Sequence, residues 1–208
     1  LPIEQKGTIP INIVNFLAHI YLSGDDPLVT LGNFIGDFVK GRQAENYNSK
    51  IQNGISLHRA IDQFTDNHDV VLESKKRLRS GYRHYAPVIV DVFYDHFLAR
   101  YWSEYHSTPL PEYTNQFYTS VRDNYEYLPD RARRMFDYMS NDNWLMGYSQ
   151  VEGIRQALGG MSRRTKFDSG MENAHTNLIK DYDLFKMEFE DFFPSLISHA
   201  QTFRNKWE

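Results

Sequence analysis

Residues 87–102 read PVIVDVFYDHFLARYW, and the reading of this stretch decides the fold. It is apolar on every side except at Asp91, Asp95, His96 and Arg100. A surface helix keeps one polar face, whereas a helix apolar all round is wrapped by others. The stretch therefore predicts a central helix in an all-helical domain, with Pro87 marking its start. Its carboxylates are the anomaly, because an ionised group in apolar surroundings is strongly disfavoured unless it is paired, hydrogen-bonded or metal-bound. Asp91 and Asp95, four residues apart, share a helix face. His96 follows Asp95 and cannot occupy the same angular position, so Asp95 suits direct ligation and His96 an orienting or acid–base role. Buried salt bridges or helix capping are the structural alternative.

Upstream, residues 49–78 (SKIQNGISLHRAIDQFTDNHDVVLESKKRL) predict one long helix or two abutting helices, with Ile51, Ile55, Ile61 and Phe64 on the apolar side. Within it, His58, Asp62 and Asp66 recur every four residues along one stripe. His58 and Asp62 can approach one ion, or Asp62 can orient the imidazole. Asp66 lies a turn farther, and the whole stripe can also be a solvated face beside Arg59 and Gln63. Earlier still, LVTLGNFIGDFVKG predicts a helix from about Leu28 to Lys40 with Gly41 as its stop, and IVNFLAHIYLS predicts the first helix, interrupted by Gly24 and Pro27. Downstream helices are expected over residues 112–126, 130–139, 150–159, 170–190 and 192–204. The alternation of a substantial sheet is absent, so the fold class expected is all-α: a single-domain bundle of unequal helices.

Other polar residues in apolar settings are site candidates with structural alternatives. Asp37 stands among apolar residues, near Gly32 and Gly36, which permit close backbone approach. His19 in NFLAHIYL fits a hydrogen-bonded core histidine or a ligand, and Asn33 and Asn15 can bind a ligand or satisfy main-chain groups.

The 208 residues suffice for one core, and 41% hydrophobic with 24% charged residues is a globular composition. The chain has no cysteine, which excludes disulfides, thiolate zinc sites and cysteine nucleophiles, and fits a reducing cytoplasm. Any metal must take oxygen and imidazole ligands. A formal charge of −4 and the lack of a nucleic-acid motif argue against nucleic-acid binding. No apolar run approaches the roughly 20 residues that span a bilayer, and the start LPIEQKGTIPINI lacks the layout of a signal peptide. Charge is uneven: KKRLRSGYR (75–83) is basic and DYDLFKMEFEDF (181–192) acidic. No glycine-rich phosphate loop or nucleophile elbow is present. Metal-assisted hydrolysis uses the available residue types, and an oxygen-rich set with imidazole suits manganese or magnesium, with iron and zinc as alternatives.

VNFLAHIYL, LGNFIGDFVKG, LHRAIDQFTD, APVIVDVFYDHFLARYW and GGMSRR, taken together and in order, resemble the acyl carrier protein phosphodiesterase family, and more remotely the helical HD-type metal phosphohydrolases. The resemblance spans Val14 to His199 and implies an HD-like bundle, with residues 14–208 as the phosphodiesterase domain. It implies hydrolysis of the phosphodiester joining 4'-phosphopantetheine to a serine of holo acyl carrier protein, with manganese as the metal. Asp37, His58 and Asp62, and Asp95 and His96 match the family's blocks, as do Arg163 and Arg164. The adjacent His–Asp pair of many HD enzymes is absent, since the order here is Asp95–His96. Residues 1–13 precede the family's usual start and are a genuine extension, an altered start or appended sequence.

On this basis the metal is expected on Asp37, His58 and Asp95, with Asp62 positioning an imidazole or water and His96 assisting proton transfer. His19, Asn33, Asp66 and Asp91 are further site candidates. Arg59, Arg77, Arg79, Arg83, Arg163 and Arg164 are expected to meet the acidic carrier protein or the phosphate. The competing expectations are an HD-like hydrolase of a small phosphoester or nucleotide, and a helical protein that binds carrier protein without catalysis. Oligomeric state is not indicated.

Overall fold

The structure, a computed structural model, describes residues 16–207. The expectations for residues 1–13, Val14 and Asn15 fall outside it. Among the described residues all regular structure is helical, as the absence of strand alternation predicts. The α-helices are α1 (Phe16–Leu22), α2 (Pro27–Phe34), α3 (Ser49–Asn67), α4 (Asp69–Tyr82), α5 (Ala86–Arg100), α6 (Leu110–Asp123), α7 (Asp130–Asn141), α8 (Trp144–Gly147), α9 (Val151–Ser162), α10 (His175–Lys180) and α11 (Tyr182–Arg204).

The apolar stretch of residues 87–102 forms α5 as far as Arg100, and it is central: α1, α4, α9 and α11 pack around it. Val88, Ile89, Val90, Val92, Phe93, Phe97 and Leu98 are all buried. α11 lies across α3, α4 and α5 with Phe185, Phe189, Phe192, Phe193 and Leu196 inward. Its rings engage the core directly, Phe93 meeting Phe185 at 5.1 Å and Phe97 meeting Phe189 at 5.8 Å.

Two helix boundaries differ from the expected ones, and the 49–78 segment takes the second of its two expected forms, a pair of abutting helices. The long 49–78 segment divides at His68, whose extended backbone (φ −79°, ψ 128°) ends α3 and starts α4. The helix expected to reach Lys40 stops at Phe34, and a short 3-10 turn at Gly36–Phe38 follows. A Cβ at Gly36 would stand 2.2 Å from the His58 ring, so the chain turns where the imidazole needs the space. Instead of helices over 170–190 and 192–204, a turn at Gly170 (φ +66°) leads through α10 to α11, which runs unbroken past Pro194. Proline removes one helical hydrogen bond, but the buried aromatic residues on both sides hold the helix together.

α2 and α3 approach each other closely. A Cβ on Gly54 would lie 2.1 Å from the Val29 carbonyl oxygen and 2.8 Å from Gly32 Cα, and one on Gly32 would lie 2.1 Å from the Ile51 carbonyl oxygen. The two backbones touch, which brings Asn33 of α2 against His58 of α3. α1 is fixed from the opposite side: Asp95 of α5 accepts hydrogen bonds from the main-chain N–H groups of Leu17 (3.0 Å) and Ala18 (2.9 Å).

Candidate metal centre

His58 and Asp62 stand one turn apart on α3, and His19 reaches them from α1. His58 Nδ1 lies 2.9 Å from the main-chain oxygen of Asn33, an atom that can only accept. Nδ1 therefore carries the proton and Nε2 a lone pair in the neutral ring. The Asn33 side chain fixes His19 in the same way. Its Nδ2 donates to the His19 carbonyl and to Ser23 Oγ, both at 2.9 Å, which turns Oδ1 to His19 Nδ1 at 2.7 Å. His19 Nδ1 must donate, and its Nε2 also presents a lone pair. These tautomers follow from the partners' chemistry.

The two imidazoles stack with centroids 4.2 Å apart and planes 25° from parallel, so both Nε2 atoms face one space. Asp62 spans that space: Oδ1 is 3.2 Å from His19 Nε2, and Oδ2 is 3.2 Å from His58 Nε2. Asp37 Oδ1 stands 3.4 Å from His58 Nε2. Both Nε2 atoms are buried, and neither makes a hydrogen bond. Two lone pairs facing carboxylates repel unless positive charge lies between them, either a proton on an imidazole or a cation. One nitrogen of each histidine and one Asp62 oxygen lie within 4.8 Å of one another, a span that bonds of roughly 2.0–2.2 Å to one ion bridge after small side-chain movements. Two imidazoles and a carboxylate are a donor set for a divalent first-row metal, so the residues present fit such an ion.

The electrostatics agree. Burial alone would lower the His58 imidazole, but Asp37 and Asp62 outweigh it and push it up to about 10. Burial would raise the Asp62 carboxyl, yet His19 and His58 hold it well below the usual carboxylate range. The Asp62 side chain keeps 42% of its exposure, which makes it the open edge of the centre.

Among the residues expected to ligate, His58 and Asp37 meet here with Asp62, and Asp95 does not join them. Both Asp95 oxygens are engaged by the first turn of α1, so its placement is that of a helix anchor, the capping alternative. Burial pushes its carboxyl well up, against the two N–H donors. His96, expected to move protons, has both ring nitrogens occupied, Nδ1 by the Tyr148 carbonyl (2.8 Å) and Nε2 by the Tyr182 hydroxyl (3.0 Å). Asp66 pairs with Lys75 at 2.7 Å. Asp91, partly buried, has its carboxyl pushed up to about 8, first by burial and further by the charges of Asp62, Asp66 and Asp37, with Lys75 opposing.

The arginines divide. Arg77 is not a free docking group: it binds Glu188 through two hydrogen bonds of 2.7 and 2.6 Å and lies over the Phe185 ring, tying α4 to α11. Arg59, exposed beside His58, donates to the Val39 carbonyl at 3.3 Å. Arg164 is partly buried and donates to the Gly160 carbonyl, while Arg79, Arg83 and Arg163 are exposed.

Sequence reasoning gave His19 and Asn33 only a secondary place. No spacing links them to His58, since they come from different helices. The available signal was a histidine and an asparagine inside otherwise apolar helices.

Fold and centre together define an all-helical protein with a cluster of two histidines and one carboxylate that could coordinate a divalent cation. The chain belongs to the acyl carrier protein phosphodiesterase family, whose model matches residues 14–196. It is 33% identical over 190 residues to the acyl carrier protein phosphodiesterase of Enterobacter sp. (strain 638), covering 90% of this chain and 98% of that protein. With the protein of the same name from Escherichia coli O6:H1 it shares 34% identity over 193 residues, covering 90% and 97%. With that of Photorhabdus laumondii it shares 29% over 189 residues, covering 90% and 96%. No solved structure matches the chain.

Proposed function

We propose that the chain hydrolyses the phosphodiester linking 4'-phosphopantetheine to a serine of holo acyl carrier protein, releasing apo carrier protein and 4'-phosphopantetheine in the cytoplasm. The observation that carries this reading is the convergence of two tautomer-locked Nε2 atoms on the Asp62 carboxylate. Membership of the family and the names of its relatives support the substrate. No helix among the described residues is long and apolar enough to cross a membrane, which accords with a carrier-protein substrate in solution.

His19, His58 and Asp62 would hold the divalent ion, which we take to be manganese, and Asn33 keeps both rings in the ligating tautomer. When bound, the ion supplies Lewis acidity toward the phosphoryl oxygens. Asp37, whose Oδ1 faces the same space, takes the proton of the attacking water. The bond from phosphorus to the serine oxygen breaks, its electron pair stays on that oxygen, and a proton from solvent completes the serine hydroxyl. Asp62 would take the place at the ion that the sequence suggested for Asp95. Exposed Arg79 and Arg83, with Arg59 and Arg163, steer the acidic carrier protein, an effect that fades as salt rises.

The test is turnover of holo carrier protein by chelator-treated protein resupplied with manganese, magnesium, zinc or iron(II). His19→Ala, His58→Ala and Asp62→Asn run beside the parent chain, and a free nucleotide serves as the competing substrate. We expect manganese to restore activity and each substitution to lower it by about 100-fold or more. Folded variants with parental turnover would refute the centre, and preference for the nucleotide would replace the carrier protein as substrate.

A further inference from the structure

Lys75 is the only lysine or arginine buried among the described residues, at 3% exposure. It lies on the inner side of α4, which packs against α3 and α5. An ammonium stripped of water needs an anion, and Nζ finds Asp66 Oδ1 at 2.7 Å. The pair is lopsided, because the Asp66 side chain is 68% exposed. The cation is fixed by its surroundings, while its anion sits on a side chain that can swing into water.

Asp66 lies one turn beyond Asp62 on the same stripe of α3, where neighbouring Cβ atoms are ~5–6 Å apart. Lys75 Nζ, at 2.7 Å from Asp66 Oδ1, thus stands next to the stripe of α3 that carries His58 and Asp62.

We infer that Lys75 binds the phosphoryl group: a non-bridging oxygen of the substrate diester replaces the Asp66 carboxylate at Nζ. This rests on the phosphodiesterase reading above and names the residue that grips the phosphate. Charge matching favours it. With Asp66 turned to water, Asp37 and Asp62 offset a divalent ion, and Lys75 offsets the single negative charge of a phosphodiester. A lysine ammonium suits this as a point charge for phosphate. In the resting protein Asp66 keeps the buried ammonium paired and competes with other anions.

Calorimetric titration of inorganic phosphate into the manganese-loaded protein tests the inference, with metal content checked for each variant. In Lys75→Met the phosphate Kd is expected to rise about 10-fold or more, the loss of one charge-assisted hydrogen bond. In Asp66→Asn, which leaves Lys75 in place and removes its competitor, Kd is expected to fall several-fold. An unchanged Kd in metal-replete Lys75→Met, or an unchanged or higher Kd in Asp66→Asn, would overturn the assignment. The second variant decides alone if the first does not fold. Because phosphate binding is read without carrier protein, a positive result beside absent carrier-protein turnover would count against the proposed substrate and leave Lys75 standing.

Discussion

Asn33 sets the state of both histidines, His19 through its side chain and His58 through its main-chain carbonyl. Asn33→Leu should therefore free His19 alone and lower divalent-metal affinity by ~10–100-fold, as read by competition with a chelating dye. Parental affinity in a folded variant would show that the hydrogen bond does not orient the ligand. The His58 proton gives a second prediction. Its folded pKa, about 10, stands above the unfolded value near ~6.5. In metal-free protein the stabilisation from this charge is thus complete below ~6.5 and is lost as pH rises through about 10. Urea unfolding at pH 6 and pH 10 should show that loss in the parent chain and much less of it in His58→Gln. A metal must displace the same proton, so its apparent affinity should rise over the same window with measurable proton release. At this scale the sequence exposed His58 and Asp62, because one helix holds them four residues apart. His19, Asn33 and Lys75 come from other helices, and Lys75 was concealed in a basic run that reads as surface.

Among elements, the contact of α2 with α3 through Gly32 and Gly54 controls the centre, since it sets the Asn33 carbonyl over His58. Gly54→Ala places a methyl group 2.1 Å from the Val29 carbonyl oxygen, against main chain that cannot rotate away. The helices must separate, at a cost of ~1–3 kcal/mol or more. Metal affinity should fall with stability, because the ligand geometry moves with the helices. Gly81→Ala on α4 is the control: its added Cβ meets nothing within 4 Å, so it should stabilise the helix by up to ~1 kcal/mol and leave metal binding unchanged. Denaturation midpoints and metal titrations on both variants check the pair. If Gly54→Ala lost stability while keeping full metal affinity, the crossing would be a packing feature only. Most helices were legible from periodicity, and α5 from its uniform apolarity. The ends of α2 and α11 were not, because a distant imidazole stops one and buried aromatic residues carry the other past a proline. Glycine spacing does not reveal which glycines meet another helix.

For the whole molecule, uniform apolarity in one segment was enough to predict an all-helical bundle around a buried axis. The same segment carried two carboxylates whose different settings no pattern could separate. Asp91 is partly buried and Asp95 wholly so, and Asp95 holds the start of α1 across 78 and 77 residues of chain. That long-range anchor bears on the order of folding. A helix of seven residues, α1 is too short to persist alone and depends on α5 for the acceptors of its first turn. His19 therefore leaves the ribosome ahead of every other ligand yet cannot take its place until α5 has emerged and docked. The centre should assemble only after much of the chain has been synthesised. Its signature should appear in hydrogen exchange: the Leu17 and Ala18 amides, though near one end of the chain, should exchange as slowly as the interior of α5 rather than with the fast rates of a fraying terminus. In Asp95→Asn both amides should speed up together, while the α11 amides change far less.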